Sequence, residues 1–347
     1  MRQKDAAERE EKREEMRLRH PETILGDLGI DYACALAPCG AAEEGSADEF
    51  ADWVEEGNHA GMDYLERHVA LRRHTDHVLP GARTIFTLAF PFPLGEKAGG
   101  IAAYALGNDY HDELRTLLRP AVERMRRQYG GDWRICVDSA PVAERHWALR
   151  AGLGEATRSG MLYVKGLGTA CFLCEILTTA SLPIPSEESE ESEEESEEEE
   201  REKRGEKWRF ACAECRRCEE ACPGDALRDG LIDARRCLSY LTIEHRGPWE
   251  EEMLRVMATP AGRATLFGCD RCVRVCPLNA GRSGLRILPH LQPRPEIAAT
   301  PPAEVLMMDE DSFRLRFRRS PLRRARLEGL VRNARGVEKG KNGVAGG

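Results

Sequence analysis

An α/β domain followed by a smaller cysteine-rich module and a basic helical tail is the architecture that this 347-residue sequence predicts. Three observations predict it. Residues 21–185 alternate helix-like and strand-like patterns, eight of the 13 cysteines fall between Cys212 and Cys276, and Phe313–Arg335 holds nine arginines. Alternation of this kind builds layered α/β domains. The length suffices for one large domain with a smaller module attached.

Residues 1–20 read as a charged helical lead-in. They contain no apolar h-region, so a signal peptide is not expected, and their acidity argues against a mitochondrial transit peptide. Within residues 21–185, Thr84–Phe92 is a short apolar, β-rich run ended by prolines, as a buried strand would be. His111–Tyr129 has helical spacing, with Leu114, Leu117, Leu118, Val122 and Met125 on one face. RICVDSAPV reads as a strand running into a turn, and ERHWALRAG as a short helix ended at Gly152. Residues 186–207 are Ser/Glu-rich and cannot bury apolar surface, which predicts a disordered insert. The cysteine-rich module spans 208–282. Residues 283–347 form a proline-rich connector and the basic helical tail, with a frayed end expected.

The net charge of −9 is unevenly spread. Glu187–Glu200 holds 11 Glu and no basic residue, so the remainder carries about +2 (−9 + 11). Basic clusters such as RLRFRR and RRAR attract phosphate backbones. The plainer reading is a solvated basic helix. No apolar stretch reaches the roughly 18–20 residues needed to cross a bilayer, so no membrane association is expected and a cytoplasmic location is.

Thirteen cysteines without an export signal point to metal rather than disulfides, because the cytosol keeps thiols reduced. Cys212, Cys215, Cys218 and Cys222-Pro223 follow the C-x2-C-x2-C-x3-C-P spacing of bacterial ferredoxins. Cys269, Cys272 and Cys276-Pro277 form a second run, preceded by an isolated Cys237. Three thiolates two residues apart wrap one [4Fe–4S] cube, and the cysteine before proline ligates the other. This predicts a ferredoxin-like module with two [4Fe–4S] clusters. Cluster one is assigned Cys212, Cys215, Cys218 and Cys276; cluster two is assigned Cys222, Cys237, Cys269 and Cys272. Structural zinc is the alternative, but zinc sites use paired C-x2-C motifs rather than triplets ending in C-P. Cys136, Cys171 and Cys174 sit in apolar runs and read as core.

Eight motifs carry a resemblance beyond the cysteines. They are GMDYLERH (Gly61–His68), LPGARTI (Leu79–Ile85), YALGNDYH (Tyr104–His111), VDSAPVAER (Val137–Arg145), RAGLG (Arg150–Gly154), FLCEILTT (Phe172–Thr179), DARRCLSYLTIEHRG (Asp233–Gly247) and GCDRCVRVCP (Gly268–Pro277). In this order, over about residues 23–334, the sequence resembles epoxyqueuosine reductase, a cobalamin-dependent iron–sulfur family of tRNA modification. The resemblance implies that 21–185 is a cobalamin-binding catalytic domain. It also implies reduction of epoxyqueuosine to queuosine at the wobble position of tRNA anticodons. Electrons would pass from the clusters through cobalamin to the epoxide, and a carboxylic acid would supply the proton.

The matching acid is Asp138. Desolvation beside an apolar strand and under a corrin would favour its protonated form. The rival local reading is a helix cap for a helix starting near Pro141, and water or His111 is the alternative proton source. Met62, Tyr64, Ser139, Leu162, Ser239 and Asp270 are implied to line the cobalamin together with Asp138. His245 and Arg246 are implied tRNA contacts, and Arg316, Arg318, Arg319, Arg323 and Arg326 are basic-tail candidates for the same backbone. Where the family continues Trp-Ile-Gly-Lys after RAGLG, this sequence has Glu155-Ala156-Thr157-Arg158, which alters one expected cobalamin wall. Relatives that carry a helical repeat domain carry it beyond the point where this sequence ends, which leaves more of the RNA contact to the basic tail. A monomer served by a low-potential electron donor is expected. A reductive dehalogenase-like enzyme and a ferredoxin-type electron-transfer subunit are the rival functions.

Overall fold

The computed structural model describes residues 25–40, 46–95, 99–182, 211–212 and 214–342. The charged lead-in and the Ser/Glu-rich insert lie outside the described residues. The elements run β1 (Ala33–Pro38), α1 (Ser46–Glu55), α2 (Asp63–Arg72), β2 (Thr84–Pro91), α3 (Tyr110–Tyr129), β3 (Trp133–Cys136), α4 (Glu144–Arg150), β4 (Glu155–Ala156), β5 (Leu162–Tyr163) and β6 (Cys171–Thr178). The cysteine module holds α5 (Arg217–Glu220), β7 (Leu227–Arg228), β8 (Leu231–Ile232), α6 (Leu238–Ile243), α7 (Glu251–Met257) and α8 (Arg271–Arg274). The tail holds α9 (Pro295–Ala298), α10 (Pro302–Leu306), α11 (Glu310–Arg316) and α12 (Arg326–Asn342).

The main sheet has the order β1-β2-β6-β3, with every neighbouring pair antiparallel. Helix and strand alternate as the pattern predicts, but the sheet is not the parallel one of a doubly wound α/β fold. β2 and β3 both oppose β6, so they run parallel to each other with β6 between them. Alternation determines which layers form; strand direction depends on where β6 inserts, and nothing in its composition marks that.

Strand period then sorts the two faces. Phe86, Leu88, Phe90, Phe172, Cys174 and Ile176 pack under α3, whose Leu114, Leu118, Val122 and Met125 are buried. Ile85, Cys136 and Leu177 face the other way, toward Val142 and Trp147 at α4. Cys171 and Cys174 lie an odd number of residues apart on β6 and enter different hydrophobic clusters. Both are packing residues, not a metal-binding pair. α3 starts at Asp109, whose carboxylate accepts the His111 N–H at 3.1 Å, and ends at Gly130 with φ 69°.

The tail is part of the body rather than a solvated basic helix. Phe313, Phe317, Leu322, Leu330 and Ala334 are buried against Ile101, Leu106, Leu266 and Phe267. Asn333 is fully buried, and its amide donates to the carbonyls of Thr242 (2.7 Å) and Leu266 (2.9 Å). Arg332 donates to the carbonyls of Leu241, His245 and Gly247. Replacing Asn333 with leucine orphans two buried carbonyls. The expected loss is about 2–4 kcal/mol, read from the denaturation midpoint, with cluster content intact in the folded fraction.

Candidate active site

The cysteine runs form two adjoining groups. Cys212, Cys215, Cys218 and Cys276 line one cavity, together with Thr157, Ser159, Arg217 and Pro277. Around Cys272, the electrostatic neighbours in order of strength are Cys269, Cys237 and Cys222, followed by Cys218 where the groups meet. Backbone N–H groups point at the sulfurs: Arg158 donates to Cys212 Sγ at 3.4 Å and Ala226 to Cys222 Sγ at 3.3 Å. Four sulfurs around one void, with N–H donors aimed at them, is a donor set suited to an iron–sulfur cube. Thr157 and Arg158, the second half of the Glu155–Arg158 departure from the family pattern, therefore face this cysteine cavity, as does Ser159.

Asp138 follows β3 and stands at φ 54°, a left-handed conformation uncommon for a non-glycine residue. It caps no helix: α4 begins at Glu144 with Ala143 at its N-cap and no side-chain cap. The Asp138 carboxylate instead accepts hydrogen bonds from the Tyr110 hydroxyl (2.6 Å) and His111 Nε2 (3.2 Å). The other imidazole nitrogen, Nδ1, meets Asp109 Oδ1 at 2.7 Å. Tyr110 is sandwiched between Phe172 and His111, with ring centroids 4.1 Å away on each side. The Asp138 side chain is 57% exposed, so it can meet a ligand.

The electrostatics reverse one expectation. Burial alone would raise the Asp138 pKa, but the hydrogen bonds from His111 and Tyr110 outweigh it and the net shift is downward. Burial would lower the His111 pKa, but Asp109 and Asp138 together raise it to about 9. At neutral pH the pair holds one proton, and it rests on the imidazole rather than on the carboxyl. The protonated Asp138 expected from the sequence takes no account of the hydrogen bonds that Tyr110 and His111 donate to it, and these favour the carboxylate.

The remaining predicted residues divide. Met62 precedes α2 and packs against the module residues around α6. The Tyr64 hydroxyl reaches Met62 Sδ at 3.6 Å, and its ring lies 5.5 Å from the Arg324 guanidinium. Ser139 Oγ accepts from Arg115 at 2.8 Å, next to Asp138. The Ser239 N–H is directed at Cys237. Leu162 is buried among Ala89, Ala148, Leu153 and Val164, so it is core. Asp270 is buried too: its carboxylate accepts the Ala103 N–H at 2.9 Å and pairs with Arg274 at 2.8 Å, tying the module to the sheet domain.

His245 is buried, with Nε2 against the Pro248 carbonyl at 2.9 Å, and is not a surface contact. Arg246 is exposed beside Arg324 and Arg326. Arg316 is paired with Glu304, and Arg319 donates to Glu113 at 2.7 Å, so both charges are neutralised. Arg318, Arg323 and Arg326 are exposed. Sequence reasoning gave no role to Tyr110, Arg72, Glu144 or Arg324. Tyr110 was within reach, because it neighbours His111 inside the YALGNDYH motif.

Residues 211–279 match a family described as a 4Fe-4S double cluster binding domain. Residues 72–139 match the family described as Epoxyqueuosine reductase QueG, DUF1730. An epoxyqueuosine reductase of Cyclobacterium marinum is 32% identical over 326 residues, covering 88% of this chain and 92% of the relative. That of Pseudomonas aeruginosa is 32% identical over 296 residues, covering 81% and 74%. A crystal structure of an epoxyqueuosine reductase with an epoxyqueuosine-modified tRNA-Tyr stem loop superposes with a TM-score of 0.72 at 23% identity, over 90% of this chain and 78% of the other. A Bacillus subtilis epoxyqueuosine reductase, with its catalytic loop swung out of the active site, gives 0.67 at 23% identity over the same shares. No helix among the described residues is long and apolar enough to cross a membrane. The shared fold, the double-cluster module and a third of the residues in common with a relative of nearly the same extent place this chain in the epoxyqueuosine reductase family.

Proposed function

We propose that this protein reduces epoxyqueuosine to queuosine in tRNA, and that Asp138 is the residue that delivers the proton. The observation that carries the reading is the Asp109–His111–Asp138 array beside Tyr110, at the exposed end of a domain whose relatives are epoxyqueuosine reductases. Two electrons and two protons turn the epoxide into an alkene and water. The ring C–O bonds break and the oxygen leaves protonated.

The chain's own part is proton supply and positioning. His111 stores one of the two protons, and Asp138 accepts it and presents it to the epoxide oxygen as negative charge develops there; the second comes from solvent water. Tyr110, held between two rings, fixes the carboxylate's direction. The division of cluster ligands follows the two sulfur groups: Cys212, Cys215, Cys218 and Cys276 for cluster one, and Cys222, Cys237, Cys269 and Cys272 for cluster two. Cluster two is placed on the Asp138 side in this reading, supported by Tyr104, which lies within electrostatic reach of both Asp138 and Cys237.

The residues around Asp138 fit a large cofactor with polar edges. Arg72 Nε is buried with no hydrogen-bond partner among the described residues, within electrostatic reach of Asp138 and Tyr64. Met62, Tyr64, Ser139 and Ser239 would hold cobalamin at this seam. Bound there, cobalamin would supply the strongly reducing centre that the epoxide carbon requires, with the clusters and a low-potential donor behind it. Leu162 and Asp270 are left out of this set because packing and ion pairing already occupy them.

Conversion of epoxyqueuosine tRNA by the reduced, cofactor-loaded protein tests the assignment; no conversion under those conditions would defeat it. Binding to tRNA gives a second, separate test. Arg318, Arg323 and Arg326 are exposed, whereas Glu304 and Glu113 neutralise Arg316 and Arg319. Neutralising each of the first three should flatten the salt dependence of binding by about one unit per lost phosphate contact or slightly less. Arg316→Gln and Arg319→Gln should leave that slope unchanged. Equal effects from both groups would mean that net charge, not this surface, governs binding.

A further inference from the structure

Glu175 sits in the middle of β6, opposite Thr87 and Cys136, and is completely buried. Neither of its carboxyl oxygens has a well-aligned hydrogen-bond partner among the described residues; the polar contact they do make is with the Glu144 carboxyl. An apolar residue would serve the strand better, because an unsatisfied buried polar group costs stability. Burial, reinforced by the neighbouring Glu144 carboxyl, pushes the Glu175 pKa well above the usual carboxylate range and so favours its neutral form; burial likewise pushes Glu144 up to about 7.

Glu144 begins α4 above the same face of the sheet. One of its oxygens accepts the backbone N–H of Asp138 at 2.8 Å. Arg72 faces both glutamates and Asp138, and donates to the Val142 carbonyl in the same loop at 2.8 Å. The loop needs such a hold. Asp138 stands at φ 54°, a left-handed conformation that a non-glycine residue keeps only where its surroundings favour it.

We propose that Glu144 is a positioning residue for the reaction: its carboxyl latches the Asp138 loop through the backbone N–H of Asp138, and the buried carboxyl of Glu175 backs that latch from the sheet. This rests on the reading of Asp138 as the proton donor. The latch itself does not depend on that reading and can be measured apart from it. With the latch closed, the Asp138 carboxylate stays against Tyr110 and His111. With it open, the strained residue relaxes and the carboxylate leaves the position where the epoxide oxygen would meet it.

The test uses the full chain with its clusters loaded and has two readouts. Hydrogen exchange of the Asp138–Ser139 segment reads the latch directly. Single-turnover conversion of epoxyqueuosine tRNA, alongside tRNA affinity, reads its effect on the reaction. Glu144→Ala should speed exchange in that segment and slow turnover by about ten- to a hundred-fold, the scale of a small misplacement of a reacting group. Affinity for tRNA and iron content should stay unchanged. Glu144→Gln keeps an acceptor oxygen at the same reach and should restore both readouts. Glu144→Asp keeps a carboxyl at the helix start but withdraws the oxygen, so it should behave like alanine, and it covers the case in which alanine perturbs α4. Wild-type exchange in both the Ala and Asp variants overturns the proposal, as does failure of Gln to rescue. If Asp138→Asn converts tRNA at the wild-type rate, the proton-donor reading falls instead, and the exchange measurement still decides whether the latch exists.

Discussion

Asp138→Asn should lower single-turnover conversion of epoxyqueuosine tRNA by about two to four orders of magnitude, the usual worth of a general acid. Stability should hardly change, because asparagine tolerates the left-handed conformation better than most residues and still accepts from Tyr110 and His111. No helix cap is at stake, so a capping role cannot mimic the result. Pre-reduced protein isolates the chemical step, and near-wild-type conversion by the Asn variant would remove Asp138 from the mechanism. The pH dependence carries a second signature. The His111 pKa is raised to about 9, so the proton is present below that value and is lost as pH rises through it. The wild-type single-turnover rate should therefore hold at neutral pH and fall above about pH 9. His111→Gln removes that titration, and its profile should lose this limb.

The second large effect concerns the crossed cysteines. Cys222→Ala should abolish cluster two although Cys222 belongs to the first run, and Cys276→Ala should abolish cluster one although Cys276 belongs to the second. Each variant should fall from about eight iron atoms per chain toward about four, in keeping with two four-iron cubes, and each should lose turnover because the electron path is cut. Electron paramagnetic resonance of the reduced variants tells the clusters apart. If Cys222→Ala spared the signal that Cys269→Ala removes, the assigned pairing would be wrong.

Much of this was legible in the sequence where a short-range rule applies. The prolines and β-rich run of Thr84–Phe92, the one-sided leucines of α3 and the Gly152 stop after α4 each act within a few residues. The C-x2-C-x2-C-x3-C-P spacing is equally local, and the structure brings together the two sulfur groups that it implies. What stayed hidden depends on contacts between distant residues. The hydrogen bonds that bias Asp138 toward its carboxylate come from Tyr110 and His111, which lie on another element. Asp270 and His245 look available in the sequence but are consumed by Ala103, Arg274 and the Pro248 carbonyl. The basic tail disguises its apolar stripe, since Phe313, Phe317, Leu322 and Leu330 are interleaved with arginines whose density dominates the composition. Glu175 ran against every local rule, and only the position of Glu144 beside Asp138 gives it a purpose.

The sharing of Cys276 with the first sulfur group also bears on how the protein is made. A ribosome releases Cys212, Cys215 and Cys218 well before Cys276, and Cys222 well before Cys269 and Cys272. Neither four-cysteine set is complete until the end of the module has left the exit tunnel. A complete ligand set for either cube therefore becomes available only in the last third of synthesis, and the two sets are completed within four residues of each other, at Cys272 and Cys276.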